Sequence, residues 1–213
     1  MIGIVDYGMG NLRSVKKAFE NLGFSTNVTR SPEEILDSEG LVLPGVGAFG
    51  DCMKNLEEYG LARPIRNFVE TGKPFLGICL GLQLLFEESE ESPGIAGLGV
   101  LRGKVVRFRR SVAEKLKIPH MGWNQVKTQK ELPILKGVPS GSWFYFVHSY
   151  FPEPEDKNIS VLKTTYGIEF TAAVEKENIF ACQFHPEKSS TLGLKFLHNF
   201  ATMCEEKSKQ ATN

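Results

Sequence analysis

Phe75-Leu76-Gly77-Ile78-Cys79-Leu80-Gly81-Leu82-Gln83 joins two patterns across a single cysteine. Phe75–Ile78 is a short, wholly apolar run, as a strand buried on both faces requires. Leu80–Glu88 then reads as a helix. Upstream the same alternation repeats. Ile2–Asp6, Phe24–Thr29 and Gly40–Leu43 read as strands; Asn11–Leu22, Pro32–Asp37, Asp51–Tyr59 and Ala62–Thr71 read as helices, with Gly23 closing the first of these. Repeated βα units with apolar strands predict a parallel sheet covered by helices on both faces.

Downstream the pattern changes. Gly103–Arg109, Trp123–Lys127, Trp143–Tyr150, Ser160–Tyr166, Glu169–Glu175 and Ile179–Phe184 read as strands joined by short turns. They predict an antiparallel addition to the first sheet or to a neighbouring one. Ser189–Glu205 reads as a closing amphipathic helix with Leu192, Phe196, Leu197 and Phe200 inside. The expected fold class is α/β: an open, mostly parallel sheet with helices on both faces and additional antiparallel strands. One domain is expected over residues 1–206, with a polar tail at 207–213 that frays.

The junction at Cys79 carries the chemistry. Gly-x-Cys-x-Gly between strand and helix is the thiol form of a nucleophile elbow. Gly77 and Gly81 are expected to let the backbone turn sharply, with Cys79 strained and projecting into a cleft. The following helix would direct its N-terminal dipole at the sulfur and favour the thiolate. The N–H of Leu80 is placed to bind an oxyanion. A free cysteine is more often a small buried hydrophobe, but the paired glycines at this junction point to function.

A thiol nucleophile needs a base, and the chain has four histidines. His198 lies within the last helix and reads as structural. His120 and His148 have no acid at a useful spacing, although His148-Ser149-Tyr150 could line a pocket. His185-Pro186-Glu187 differs, because residues i and i+2 of an extended segment point the same way. Glu187 can therefore orient the His185 ring, the third-member role in a Cys-His-acid triad.

Two glycine loops compete for attention. Gly45-Val46-Gly47-Ala48-Phe49-Gly50 matches the dinucleotide fingerprint letter for letter. However, it follows the third strand, Pro44 stiffens its entry, and the next strand ends in Cys79 where the ribose-binding acid belongs. Its exposed N–H groups suit an oxyanion equally well. Tyr7-Gly8-Met9-Gly10-Asn11 lacks the third glycine and reads as a tight strand-to-helix turn.

Composition limits the alternatives. The 213 residues hold 25 Lys plus Arg against 25 Asp plus Glu, so the formal charge is zero, which argues against bulk nucleic acid or an anionic membrane as partner. The run Lys104–Arg110 reads as a solvated strand face. Hydrophobic residues at 41% support a core that needs no staples. No stretch approaches the ~18 apolar residues of a membrane helix, and the N-terminus does not read as a signal peptide. Cys52, Cys79, Cys182 and Cys204 form no CxxC pair or metal-ligand cluster, which fits free thiols and a cytoplasmic location.

These motifs together resemble the class I (triad) glutamine amidotransferases, over essentially the whole chain. The likeness is closest to the branch that forms glutaminase subunits of imidazole glycerol phosphate synthases. It rests on Gly77–Gln83, Phe184–Glu187, Asp6-Tyr-Gly-Met-Gly-Asn11, Pro44–Gly50, Pro119-His-Met-Gly-Trp-Asn124, Tyr145-Phe-Val-His-Ser-Tyr150 and His185–Ser189. The resemblance implies hydrolysis of glutamine by Cys79, His185 and Glu187 through a glutamyl thioester, with no cofactor or metal. It implies an oxyanion hole from Leu80 and the Val46-Gly47 segment, and glutamine held by Gln83, Ser149 and Tyr150. It further implies a (β/α)8-barrel cyclase partner that consumes the ammonia in histidine biosynthesis, faced by Asn11, Trp123, Tyr145 and Lys188. A Val46-Gly47 peptide able to turn its N–H toward or away from the oxyanion would gate the reaction. A general cysteine hydrolase, a sibling amidotransferase and a noncatalytic binding module stay open on the residues alone.

Overall fold

Strands that are apolar throughout become the interior of the sheet. The computed structural model describes residues 1–109 and 116–212; Arg110, the end of the basic run, and Asn213, the end of the polar tail, lie outside the described residues. The first half forms β1 (Ile2–Val5), α1 (Leu12–Asn21), β2 (Thr26–Thr29), α2 (Pro32–Asp37), β3 (Gly40–Gly45), α3 (Phe49–Glu58), α4 (Ala62–Glu70), β4 (Phe75–Cys79) and α5 (Leu80–Gln83). The second half supplies β5 (Glu88–Ser89), β6 (Gly103–Arg107), β7 (His120–Gln125), β8 (Lys127–Thr128), β9 (Trp143–His148), β10 (Tyr150–Pro154), β11 (Ser160–Tyr166), β12 (Ile168–Lys176), β13 (Ile179–Cys182) and α6 (Ser190–Thr212).

The main sheet has eight strands in the order β2-β1-β3-β4-β13-β12-β11-β8. The pairings from β2 through β13 are parallel, and the edge from β12 to β8 is antiparallel. Alternate residues feed opposite faces. Ile2, Ile4, Val42, Leu76 and Ile78 pack toward Val15 and Phe19 of α1 and Phe196 and Phe200 of α6. Leu41, Leu43 and Phe75 pack toward Ile35, Leu56, Ile65 and Phe68 on α2, α3 and α4. Local signals agree: Ser31 caps α2 by accepting from the Glu34 N–H, with Pro32 at its first turn.

Three expectations need correction. The helix after Cys79 ends at Gln83, not Glu88, because the carbonyls of Leu84, Leu85 and Phe86 accept from the N–H groups of Leu98, Val100, Leu101 and Gly99. A neighbouring segment thus takes the bonds a second helical turn would have used. The single strand expected over Trp143–Tyr150 breaks at Ser149 into β9, paired with β7, and β10, paired with β6. The last helix begins at Ser190 and runs to Thr212, past the expected end at Glu205.

The inner face of β7 and β9 meets an aromatic cluster. His120 stacks between Phe146 (4.9 Å) and Tyr166 (4.1 Å). Its Nδ1 lies 3.0 Å from His148 Nε2, and His148 Nδ1 lies 2.8 Å from the carbonyl of Tyr150. A carbonyl only accepts, so His148 Nδ1 carries its proton, His148 Nε2 accepts, and His120 Nδ1 donates. Asn124 Nδ2, 3.1 Å from His120 Nε2, completes a one-way chain of two neutral rings.

Burial lowers the pKa of His120 to about 4; burial, with His120 beside it, lowers that of His148 to about 3. The unfolded chain therefore binds more protons below the ordinary histidine pKa of about 6.5, so stability is full above that pH and falls as pH drops. Near pH 5.5 the unfolding free energy should fall by about two protons' worth, ~2.7 kcal/mol per pH unit. Urea unfolding between pH 6.5 and 5 measures this, and a flat profile would show that these rings are not held neutral.

Candidate active site

Cys79 ends β4 with φ +56° and ψ −109°, a left-handed conformation uncommon for a residue with a side chain. Such strain costs ~1–3 kcal/mol and persists only where the surroundings enforce it. Here close packing enforces it. A Cβ on Gly81 would strike the Leu43 carbonyl oxygen, and one on Gly77 would sit 2.9 Å from Ala181 Cβ and the Gly81 oxygen. Neither glycine has a positive φ. The expectation that Gly77 and Gly81 supply the turn is therefore corrected: they permit close approach, and Cys79 itself takes the unusual angle. Since α5 is one turn long, it lacks the long helix dipole expected behind the sulfur. Leu80, its first residue, has an N–H without an intrahelical partner.

His185 and Glu187 reach the same end of the sheet from beyond β13. His185 is extended, whereas Glu187 lies in a 3-10 turn, Pro186–Lys188. Their Nδ1 and Oε1 are 2.8 Å apart, and both side chains are almost wholly shielded. The Nδ1–H thus donates to the carboxylate, leaving Nε2 available for proton exchange. Nε2 is buried and makes no hydrogen bond of ordinary geometry in the protein. Burial alone would lower the His185 pKa. The nearby Cys79 sulfur and the Glu187 carboxylate outweigh that effect and raise it. Ser189 Oγ donates to the His185 carbonyl at 2.6 Å and accepts from the Tyr145 N–H at 3.0 Å, tying the ring's backbone to β9.

A cleft of about 260 Å³ opens between these groups. Val46 and Gly47 line it from the loop after β3, Leu80 and Gln83 from α5, and Val147–Tyr150 from the β9–β10 break; Cys79 and His185 lie within it. The break at Ser149 turns the chain so that His148, Ser149 and Tyr150 all line the cleft, with the His148 ring still in the buried cluster. Gln83 forms part of the wall, but its Nε2 already donates to the Tyr150 carbonyl and to Gln183 Oε1, each at 3.0 Å. Gln183 in turn sets its Nε2 3.8 Å from Cys79 Sγ.

Sequence reasoning did not single out Gln183 or Glu91. Glu91 is the one carboxylate among the described residues that lines the cleft, and its Oε2 accepts from the Phe49 N–H at the start of α3. It sits in an acidic run, Glu87-Glu88-Ser89-Glu90-Glu91, where nothing in the sequence sets it apart. Gln183 precedes the His185 motif by two residues, a position that could have drawn notice.

Three of the four residues expected at a partner surface come together. Trp123 faces Tyr145 across the β7–β9 ladder at 6.3 Å, and Lys188 Nζ lies 5.9 Å above the Tyr145 ring. Met121 pairs with Val147 on the same face, and Met121 and Trp123 are 62% and 49% exposed. Asn11 lies apart at the start of α1, a helix that borders the Pro186–Lys188 turn. His198 is half-buried on α6 with its ring edge-on to Phe24, a structural place.

The comparisons with known proteins agree with this geometry. Residues 3–204 match the family model described as glutamine amidotransferase class-I. Proteins named imidazole glycerol phosphate synthase subunit HisH are similar along nearly their whole length. The one from Syntrophotalea carbinolica is 53% identical over 95% of this chain and 100% of its own. The one from Aquifex aeolicus is 52% identical over 95% and 97%. Among solved structures, a glutamine amidotransferase superposes with a TM-score of 0.74 at 21% identity, covering 96% of this chain and 98% of that one. PurLQS from Thermotoga maritima gives 0.71 at 20% over 94% and 97%, a likeness of fold. A strand-to-helix cysteine, a carboxylate-bound histidine and a sequence matched from residue 3 to residue 204 have one common reading: the chain belongs to the class-I glutamine amidotransferase family.

Proposed function

We propose that this chain hydrolyses the side-chain amide of glutamine and passes the ammonia to a cyclase, as the glutaminase subunit of an imidazole glycerol phosphate synthase. The observation that carries the reading is the meeting of Cys79 with the Glu187-bound His185 in one cleft beside the Trp123–Tyr145 ladder. Cys79, as thiolate, attacks the amide carbon. The oxyanion that forms is met by the N–H of Leu80 and those of the Val46-Gly47 segment. His185, protonated at Nε2, gives that proton to the departing nitrogen, and the C–N bond breaks to leave ammonia and a glutamyl thioester. The ring then takes a proton from water, whose oxygen displaces the sulfur to give glutamate. Glu187 holds the ring's tautomer throughout.

The amino-acid end of glutamine carries an ammonium group, and Glu91 is the cleft carboxylate able to meet it. Ser149 and Tyr150 shape the opposite wall, with Gln83 holding the Tyr150 carbonyl in place. Ammonia is protonated in bulk water, so a direct route to the consuming site is an advantage. Val147 both lines the cleft and lies beside Met121 in the aromatic ladder, which supports an exit next to that face. A (β/α)8-barrel cyclase seated over Met121, Trp123, Tyr145 and Lys188 would receive it, with Asn11 at the edge of the contact.

Glutamate release from glutamine, with and without the cyclase and its nucleotide ligand, tests the reading. The cyclase and its nucleotide ligand should stimulate the activity strongly. Cys79→Ala should abolish the activity, and Glu187→Gln should lower kcat by ~10²–10⁴. Activity that ignores the partner would discard the pathway assignment; activity that survives Cys79→Ala would discard the mechanism. Glu91→Gln should raise KM for glutamine by ~10-fold or more while changing kcat little, as expected for the loss of a charge-assisted contact; an unchanged KM would remove Glu91 from the substrate site. Trp123→Ala should weaken cyclase binding by about tenfold or more, the scale of an aromatic anchor, in a titration calorimetry experiment where unchanged affinity places the interface elsewhere.

A further inference from the structure

Cys52 and Tyr7 are wholly buried and take no part in the chemistry above, yet both touch the loop that carries the oxyanion donors. The β3–β4 ladder ends at the Gly45–Cys79 pair, so from Val46 onward the chain has left the sheet. Two side chains hold it from beneath. The Tyr7 hydroxyl donates to the carbonyl of Pro44 at 2.8 Å, and the Cys52 thiol donates to the carbonyl of Val46 at 3.5 Å. The hydroxyl and thiol lie 3.7 Å apart and so brace each other. Asn55, one turn beyond Cys52 on α3, donates to the Tyr7 carbonyl at 3.0 Å. Burial pushes the Cys52 pKa up to about 11 and that of Tyr7 well above its usual value, so both remain protonated donors at neutral pH.

The geometry of a trans peptide turns this grip into an orientation. The carbonyl of Val46 and the N–H of Gly47 belong to one plane and point in opposite directions. With the Val46 carbonyl turned onto the buried Cys52 thiol, the Gly47 N–H points away from that thiol, and both Val46 and Gly47 line the cleft. Gly47 accepts this because its φ is +96°. Tyr7 fixes the preceding carbonyl in the same manner, and its hydroxyl would lie only 2.8 Å from a Cβ at position 45.

We infer that Tyr7 and Cys52 are positioning residues for the glutaminase reaction, a buried clamp that grips the Pro44 and Val46 carbonyls and so presents the Gly47 N–H to the oxyanion. This rests on the function proposed above and adds to it two groups remote from the reacting atoms. A thiol is a weak donor, so the effect should be a fraction of the ~10²–10³ that a whole oxyanion donor supplies.

The test uses the assembled complex with its nucleotide ligand. Cys52→Val, which keeps the bulk and removes the donor, should lower kcat about tenfold and change KM by less than about twofold, the pattern of a lost transition-state contact. Tyr7→Phe should behave alike, which keeps the inference testable if Cys52→Val does not fold. Cys52→Ser, with a donor restored, should recover most of the rate. Thermal midpoint and the rate of Cys79 alkylation by iodoacetamide, which needs no oxyanion hole, should match wild type. An active wild type with Cys52→Val and Tyr7→Phe at full kcat would overturn the clamp alone. Equal losses in Cys52→Val and Cys52→Ser that track the thermal midpoint would reduce it to packing. A wild-type complex that leaves glutamine intact would overturn the proposed function and the clamp together.

Discussion

The crossing of β4 into α5 is the constraint on which the site depends. At this point three stretches of backbone meet at distances that exclude a β-carbon: the end of β3 at Gly45, the middle of β4 at Gly77, and the first turn of α5 at Gly81. Because the neighbours are that close, Cys79 is left with the left-handed angle and carries its sulfur out of the sheet. Strain of ~1–3 kcal/mol at one residue is tolerable in a sheet whose central strands are buried on both faces. A helix that ended here without the segment at Leu98–Leu101 to take its carbonyls would leave buried acceptors unpaired; the bonds to Leu84 and Leu85 supply those partners.

The histidine and the wall opposite it are brought to this fixed sulfur by the second half of the chain. β13 pairs parallel with β4 and delivers His185 and Glu187 to the same end of the sheet. The break at Ser149 divides one hydrophobic run between two small sheets, and the division places His148, Ser149 and Tyr150 at the opening. Ser189 then links the His185 backbone to Tyr145, which stands in the aromatic ladder beside Trp123. Site and proposed partner surface therefore share one strand, β9. Adjacency of this kind suits a product that must not escape into water.

Much of this was legible in the residues, and the failures have physical causes. The parallel core could be read from Ile2–Val5, Gly40–Gly45 and Phe75–Ile78 because a doubly covered strand has no reason to alternate. The pairing of His185 with Glu187 followed from spacing, although the carboxylate arrives through a 3-10 turn rather than an extended strand. Leu82, Leu84, Leu85 and Phe86 have helical character and predict a longer helix after Cys79; what ends it is a competing set of backbone bonds from the Leu98–Leu101 segment. Glu91 was illegible for a related reason, since only the fold selects it from a run of similar acids. Nothing in the spacing of His120 and His148 points to their chain, because neither has an acid nearby and the partner of each ring is the other ring.

Labelling of the complex by a glutamine analogue with a chloromethyl ketone in place of its carboxamide measures the central claim, that the elbow makes one sulfur reactive. Peptide mass mapping should place the adduct on Cys79. Cys52, Cys182 and Cys204, buried thiols whose pKa values burial pushes up, should stay unmodified. Free glutamine should protect Cys79 in proportion to its occupancy of the cleft. An adduct on any of the other three cysteines, or labelling of Cys79 that glutamine does not slow, would contradict the account.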